Sequence, residues 1–207
     1  MKTFLLKLAV FSLPIFLEAY FADLFLSHNL AKSKDANIGI WNDIYQGNLH
    51  SDLLVYGSSR ATYHFDPKIM SDSTKLGSYV LGEDGHNFWM EYFRHSMVLK
   101  YNPKPKIIIY SLDMFTLEKR KDLFDPEQLL PYMLQDSAVE NILSDYEGYD
   151  YLDYKLPLIR YYGRTLAIRT ALRMFVQPHY AFSHRTRGYD GENKVWDDDP
   201  ASAKAYQ

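Results

Sequence analysis

Three short stretches hold residues whose types and spacing could do chemistry: Gly57-Ser58-Ser59-Arg60, Gly82-Glu83-Asp84-Gly85-His86-Asn87 and Ser111-Leu112-Asp113. Each follows a run that reads as a buried strand, and in a parallel sheet ligands bind beyond the carboxyl ends of the strands. In the first stretch, "LLVYGSSRATYHFDP" (53–67), the glycine allows a sharp turn. A serine at the start of the following helix then sits among free N–H groups that can stabilise an oxyanion. An ordinary strand-to-helix junction uses the same residue types, so the stretch poses a choice between a structural turn and a nucleophile.

The neighbouring polar residues carry alternatives of their own. Arg60 can bind an anionic substrate group or buttress the loop through a salt bridge to Asp113 or Glu83. His64 lies five residues past Ser59, about one and a half helical turns on, and would point off to one side. It reads as a structural or loop histidine rather than a base. Asp84 and His86 flank Gly85 and could line a pocket, although a solvated polar loop is the simpler reading. His86 and His95 are nine residues apart, unlike the i, i+4 spacing that puts ligands on one helix face, so no metal site is implied.

These residues need elements to position them. "DLLVYG" (52–57) is a short apolar run ended by glycine, the pattern of a strand buried on both faces. "GSYVLG" (77–82) is a second candidate, and "KPKIIIYSLD" (104–113), rich in β-branched residues, is the clearest. Between them, Asp66 and Pro67 make a good N-cap and first-turn pair for a helix to about Met70. Residues 86–101 have helical apolar spacing at Phe88, Trp89, Tyr92, Phe93, Ser96 and Met97. Short strands alternating with helices predict an α/β three-layer fold with a parallel sheet and helices on both faces. From Asp125 onward the chain has helical periodicity in pieces broken at Pro131, Gly148 and Pro157, without a convincing strand. Within it, Arg164, Arg169 and Arg173 predict a helix with a basic face, near membrane or polymer or simply packed on a core.

Composition narrows the function classes. With 23 basic and 26 acidic residues, evenly spread, and a formal charge of −3, no nucleic-acid partner is expected. The absence of cysteine excludes disulfides, thiolate zinc sites and cysteine nucleophiles. The 18 tyrosines could form sugar-stacking platforms, but such residues more often fill cores and cover half-exposed surfaces. Neither a dinucleotide fingerprint nor a P-loop is present.

The strand-end motifs resemble those of the SGNH (GDSL-like) esterase and acyltransferase superfamily, above all its membrane-anchored, extracytoplasmic bacterial branch, relatives of the alanine-transfer and alginate-acetylation proteins. Gly57-Ser58-Ser59 is similar to block I, with Ser58 where that family has aspartate. The resemblance implies a flavodoxin-like sheet, Ser59 as nucleophile and the N–H groups of Ser59 and Gly85 as the oxyanion hole. "VLGEDG" resembles block II, with Val80 where asparagine is common, and "YSLD" resembles block III only at Asp113. Block V, Asp-x-x-His, has no counterpart, since none of His86, His95, His179 and His184 has an aspartate three positions before it. The expectation is a C-terminally truncated member spanning 51–207. A base supplied by another residue and a catalytically degenerate binding or assembly module stay open beside it. The resemblance implies no cofactor, and it implies an acylated carbohydrate or envelope polymer as partner.

The N-terminus is a separate unit in this reading. Lys2 and Lys7 precede an apolar run, interrupted at Glu18, that extends to Leu26. A cleaved signal peptide fits poorly, because cutting after Ala22 leaves Tyr20 at −3. Residues 1–27 are therefore expected to be a signal anchor, with Glu18 and Asp23 tolerated at the outer end and the domain outside the cytoplasm. An amphipathic first helix of a soluble protein is the alternative. Residues 28–50 read as a linker with a short element around Ile38–Tyr45, and the placement expected is the bacterial inner membrane, single-pass.

Overall fold

A computed structural model of the chain describes residues 2–85, 88–179 and 185–191. Helix α1 (Lys2–Leu30) has 29 residues, a rod about 43 Å long at about 1.5 Å per residue. It is long and apolar enough to cross a membrane. Apolar side chains such as Phe4, Phe11, Ile15 and Phe21 stand exposed along its first two thirds. From Asp23 onward the same helix enters the domain, where Asp23, Ser27, Asn29 and Leu30 are buried.

The sheet has three parallel strands in the order β2-β1-β3: β1 (Leu53–Gly57), β2 (Ser78–Val80) and β3 (Ile107–Ser111). Leu53 pairs with Ser78 on one side and with Ile107 on the other, and at the far end Gly57 pairs with Ser111. The three strand predictions hold, each slightly shortened. The chain is thus α/β, as expected, with a small parallel sheet. Alternation along β1 separates two apolar clusters, as period-2 geometry requires. Leu54 and Tyr56 join Trp41, Met90, Phe93 and Leu130 in the main core. Leu53 and Val55 join Val80 and Ala61, with Phe65, Met70 and Leu76 packed against them. At the sheet's edge, Ile107 and Ile108 of β3 are 43% and 49% exposed.

Helices connect the strands where the local signals place them. Short α3 (Ser59–His64) follows β1 directly, and α4 (Pro67–Thr74) is capped by Asp66, which accepts from the Lys68 and Ile69 N–H groups. Helix α5 (Phe88–Tyr101) is present, but its buried face differs from the predicted one. Met90, Glu91, Phe93, Arg94, Met97 and Val98 are buried, whereas Trp89 and Tyr92 are exposed. The face turns because Arg94 and Glu91 have internal partners, which lets two charged residues occupy core positions.

Residues 125–179 hold no strand, as predicted, but two 3-10 turns (Leu130–Tyr132 and Tyr151–Tyr154), α6 (Ser137–Leu143), a third turn (Ile159–Tyr161) and α7 (Thr165–Val176). The stretch read as a linker holds α2 (Ala36–Tyr45), whose Ile40, Trp41 and Ile44 lie in the main core. A buried ion pair also ties α1 to the 156–162 turn. Arg160 donates from both terminal nitrogens to the two Asp23 carboxylate oxygens at 2.8 Å each and from Nε to the Leu130 carbonyl. The Leu158 N–H donates to Asp23 as well, at 2.7 Å. Removing one member of such a buried pair strands the other charge, at a cost of about 3–5 kcal/mol. Asp23→Ala is therefore expected to release the 156–162 turn, read as new tryptic cleavage after Arg160 in the full chain in detergent micelles. Unchanged protection of that bond would contradict the assignment.

Candidate functional site

At the carboxyl ends of β1 and β3 the polar residues of the first and third motifs meet. Gly57 has φ +143°, outside the range of most side chains, and a Cβ there would lie 2.8 Å from both Cβ and the carbonyl oxygen of Ser111. This glycine lets β1 and β3 stay paired to their last residue while the chain turns into α3. Gly57→Ala is expected to cost about 1–3 kcal/mol in backbone strain before any displacement of β3. A urea midpoint equal to that of the wild type would refute it.

Ser58 and Ser59 have different surroundings. Ser58 is buried and caps α3, its Oγ accepting from the Arg60 N–H at 3.3 Å. The same hydroxyl donates to Asp113 Oδ2 at 2.5 Å. On the other carboxylate oxygen, Arg60 forms an ion pair at 2.9 Å. The Asp113 side chain is 1% exposed and that of Arg60 68% exposed, so arginine closes the turn from outside. Of the alternatives for Arg60, the structure has the buttress to Asp113. Ser59 is half-buried, opens α3, and its hydroxyl has no hydrogen-bond partner among the described residues.

The second motif lies against the first. The Glu83 N–H donates to the Gly57 carbonyl at 2.9 Å, and a Cβ on Gly82 would meet the Thr62 N and the Ser58 carbonyl oxygen. Two residues further on, Gly85 is exposed with φ +75°, and its carbonyl accepts from Arg120 Nη1 at 2.6 Å. Asp84 takes an ion pair from Arg185 at 3.3 Å, so it belongs to a bonded loop rather than a solvated one. His86 lies outside the described residues.

Two described histidines have partners of their own. His64, the last residue of α3, is exposed, with Nδ1 3.1 Å from the Arg60 carbonyl oxygen. His95 Nδ1 lies 2.9 Å from the Tyr56 hydroxyl, on the face of β1 that carries the main core. Burial lowers the pKa of this imidazole and raises that of the Tyr56 phenol. Beside them, Tyr110 of β3 donates to Glu91.

One group that sequence reasoning missed holds the exit of β2. Arg94, fully buried, donates to the Leu81 and Gly82 carbonyls at 3.1 Å each, to Glu83 Oε2 at 2.9 Å and to Gln128 Oε1 at 3.1 Å. Gln128 donates back to Glu83 at 2.8 Å and accepts from the Trp41 indole at 2.7 Å. Burial pushes the Glu83 carboxyl up, while Arg94 and Gln128 pull it down. The signal was an arginine between Phe93 and Met97 on an apolar helix face, which requires an internal partner.

Chemically, the arrangement offers a half-exposed serine, unpartnered among the described residues, at the end of the central strand, on a turn locked by a buried carboxylate. A cavity of about 780 Å³ opens elsewhere, between α1, the 158–162 turn and α7, and none of the strand-end residues lines it. No family model, curated protein or solved structure matches the chain.

Proposed function

We propose that the chain is an extracytoplasmic serine esterase or O-acyltransferase of the SGNH-like kind. Its substrates would be acyl esters of a cell-envelope or exported polysaccharide. The observation that carries this reading is the division of labour between the two serines. Ser58 is consumed as cap and as donor to Asp113, which leaves the Ser59 hydroxyl without a partner among the described residues. The substrate class comes from the resemblance of the strand-end motifs, as does a flavodoxin-like arrangement of the sheet.

In this reading Ser59 Oγ attacks the acyl carbonyl carbon, forming a C–O bond, and its proton passes to a general base. The N–H groups of Ser59 and Gly85 hold the oxyanion. Collapse breaks the ester bond, the alcohol leaves with a proton, and water or an acceptor hydroxyl then takes the acyl group from Ser59. No described histidine hydrogen-bonds Ser59. Helix α1 crosses the bacterial inner membrane with Lys2 and Lys7 on the cytoplasmic side, and the domain faces outward.

One observation favours a second reading, a non-catalytic envelope binding module. The strand-end carboxylate, Asp113, is already engaged by Ser58 and Arg60 and has no histidine to orient among the described residues. Hydrolysis of p-nitrophenyl acetate by the full chain in detergent decides between them. Turnover lost in Ser59→Ala supports the enzyme, and equal residual rates in both proteins support the module.

A further inference from the structure

The outward face of α7 and the turn before it do not look like a surface made for water. On α7 the buried face uses small residues, Ala167, Thr170 and Ala171, with Met174. The opposite side presents Leu172, Val176 and Arg169, flanked by Leu166 and Phe175, and all of these are exposed. Leu166, Leu172, Phe175 and Val176 are thus large apolar side chains left in the open beside the charged Arg169, the pattern of a helix lying at an interface. The adjoining turn adds Leu156, Ile159 and Tyr162, the last of them 91% exposed.

Both elements sit where α1 leaves the domain. Leu158 and Arg160 bind Asp23, and the Phe175 ring contacts the Phe25 ring at 5.1 Å. The cavity of about 780 Å³ lies between them, with Ala22, Phe25 and Leu26 of α1 facing Ile159, Ile168 and Leu172, and with Asp150, Asp153, Arg160 and Arg164 also in its lining. Its walls are therefore continuous with the apolar run of α1, which is exposed up to Phe21 and Phe25. Of the three arginines expected on a basic face, Arg164 is taken up by the Pro126 and Gly148 carbonyls. Arg169 alone is exposed on the outward face, at a position where a cationic head can reach lipid phosphate while its stem lies on apolar surface.

We propose that α7 and the 156–162 turn form a membrane-seating surface, on which the domain lies against the bilayer and a phospholipid acyl chain fills the groove beside α1. The proposal rests on α1 crossing the bilayer, and it replaces a tethered domain with one fixed flat at the interface. Seating follows from the Asp23–Arg160 pair, which leaves no free joint between span and domain.

Because the chain has no cysteine, single cysteines can be introduced without background. Nitroxides at Phe11→Cys, Tyr162→Cys, Phe175→Cys and, as a water-facing reference, Lys68→Cys would be measured in the full chain, in vesicles of phosphatidylcholine and phosphatidylglycerol. The four positions are exposed, so thermal midpoints equal to the wild type certify the fold, and Val176→Cys replaces a label at 162 or 175 that fails. Labels at 162 and 175 are expected to show a ratio of oxygen to nickel-chelate accessibility about tenfold above that at 68, since a polar chelate is excluded from hydrocarbon. Labels at 162 and 175 as wet as that at 68, with 11 in hydrocarbon, would overturn the seating and leave the span intact. A wet label at 11 would overturn both.

Discussion

Arg94→Met is expected to cost about 3–5 kcal/mol, and its cost is expected to fall as the solution is acidified. The substitution keeps an apolar stem of similar length but removes every donor that Arg94 supplies. The Leu81 and Gly82 carbonyls lose their partners, and the buried Glu83 keeps only Gln128. The sign of the pH effect follows from the direction of the Glu83 shift. Burial raises its folded pKa above the ordinary value of about 4.3, so its contribution to stability is whole below that value and is lost as pH rises through the folded one. Removing the Arg94 charge, which pulls the group down, raises the folded pKa further. The gap in urea midpoint between wild type and variant should therefore be widest near about pH 8 and narrow toward about pH 5. Adding Glu83→Gln should recover part of the loss at neutral pH, because no stranded carboxylate remains. A gap that stays constant with pH would show that Glu83 is not the group left unpaired. The exit of β2 is also the approach to Gly85, so the variant tests whether a buried network fixes the second loop of the candidate site.

Ser59→Ala is expected to lower acyl-ester turnover by about 10⁴-fold or more, the size of loss seen when a covalent nucleophile is removed. That factor corresponds to about 5.4 kcal/mol of transition-state stabilisation at about 1.36 kcal/mol per decade. Stability should hardly move, since the hydroxyl has no partner to lose among the described residues. Ser58→Ala should show the reverse pattern. It deletes the cap of α3 and one of two partners of a buried carboxylate, costing about 1–2 kcal/mol of stability, and lowers turnover only through a looser turn. Paired steady-state kinetics and urea titrations on the two variants separate the roles. Turnover lost in Ser58→Ala and kept in Ser59→Ala would transfer the nucleophile to Ser58.

Legibility in the sequence followed the range of the interaction. The strands β1, β2 and β3 could be read because each is a local apolar run bounded by its own glycines, prolines or polar residues. The Asp66 cap of α4 was equally local, lying two and three residues from the N–H groups it accepts. The face of α5 was misplaced at Trp89 and Tyr92 because a hydropathy pattern treats Glu91 and Arg94 as surface residues. Their partners, Tyr110 and Glu83, come from β3 and from the end of β2. The division into anchor and linker missed the join for the same reason. Asp23 looked like an acid tolerated at the outer end of a span, whereas its partner Arg160 is 137 residues away.

By itself, then, the sequence determined three strand ends facing one way, a serine pair at the first of them and an N-terminal helix of membrane-crossing length. These depend on residues close along the chain, where side-chain periodicity and turn chemistry decide the outcome. Only the tertiary structure decided which serine is held and which has no partner among the described residues, that Arg60 pairs with Asp113 rather than Glu83, and that α1 is tied to the 156–162 turn at Asp23. Each of those is a contact between charged or polar groups far apart in sequence. A buried ion is stable only where folding delivers a counter-charge and donors to the same few ångströms.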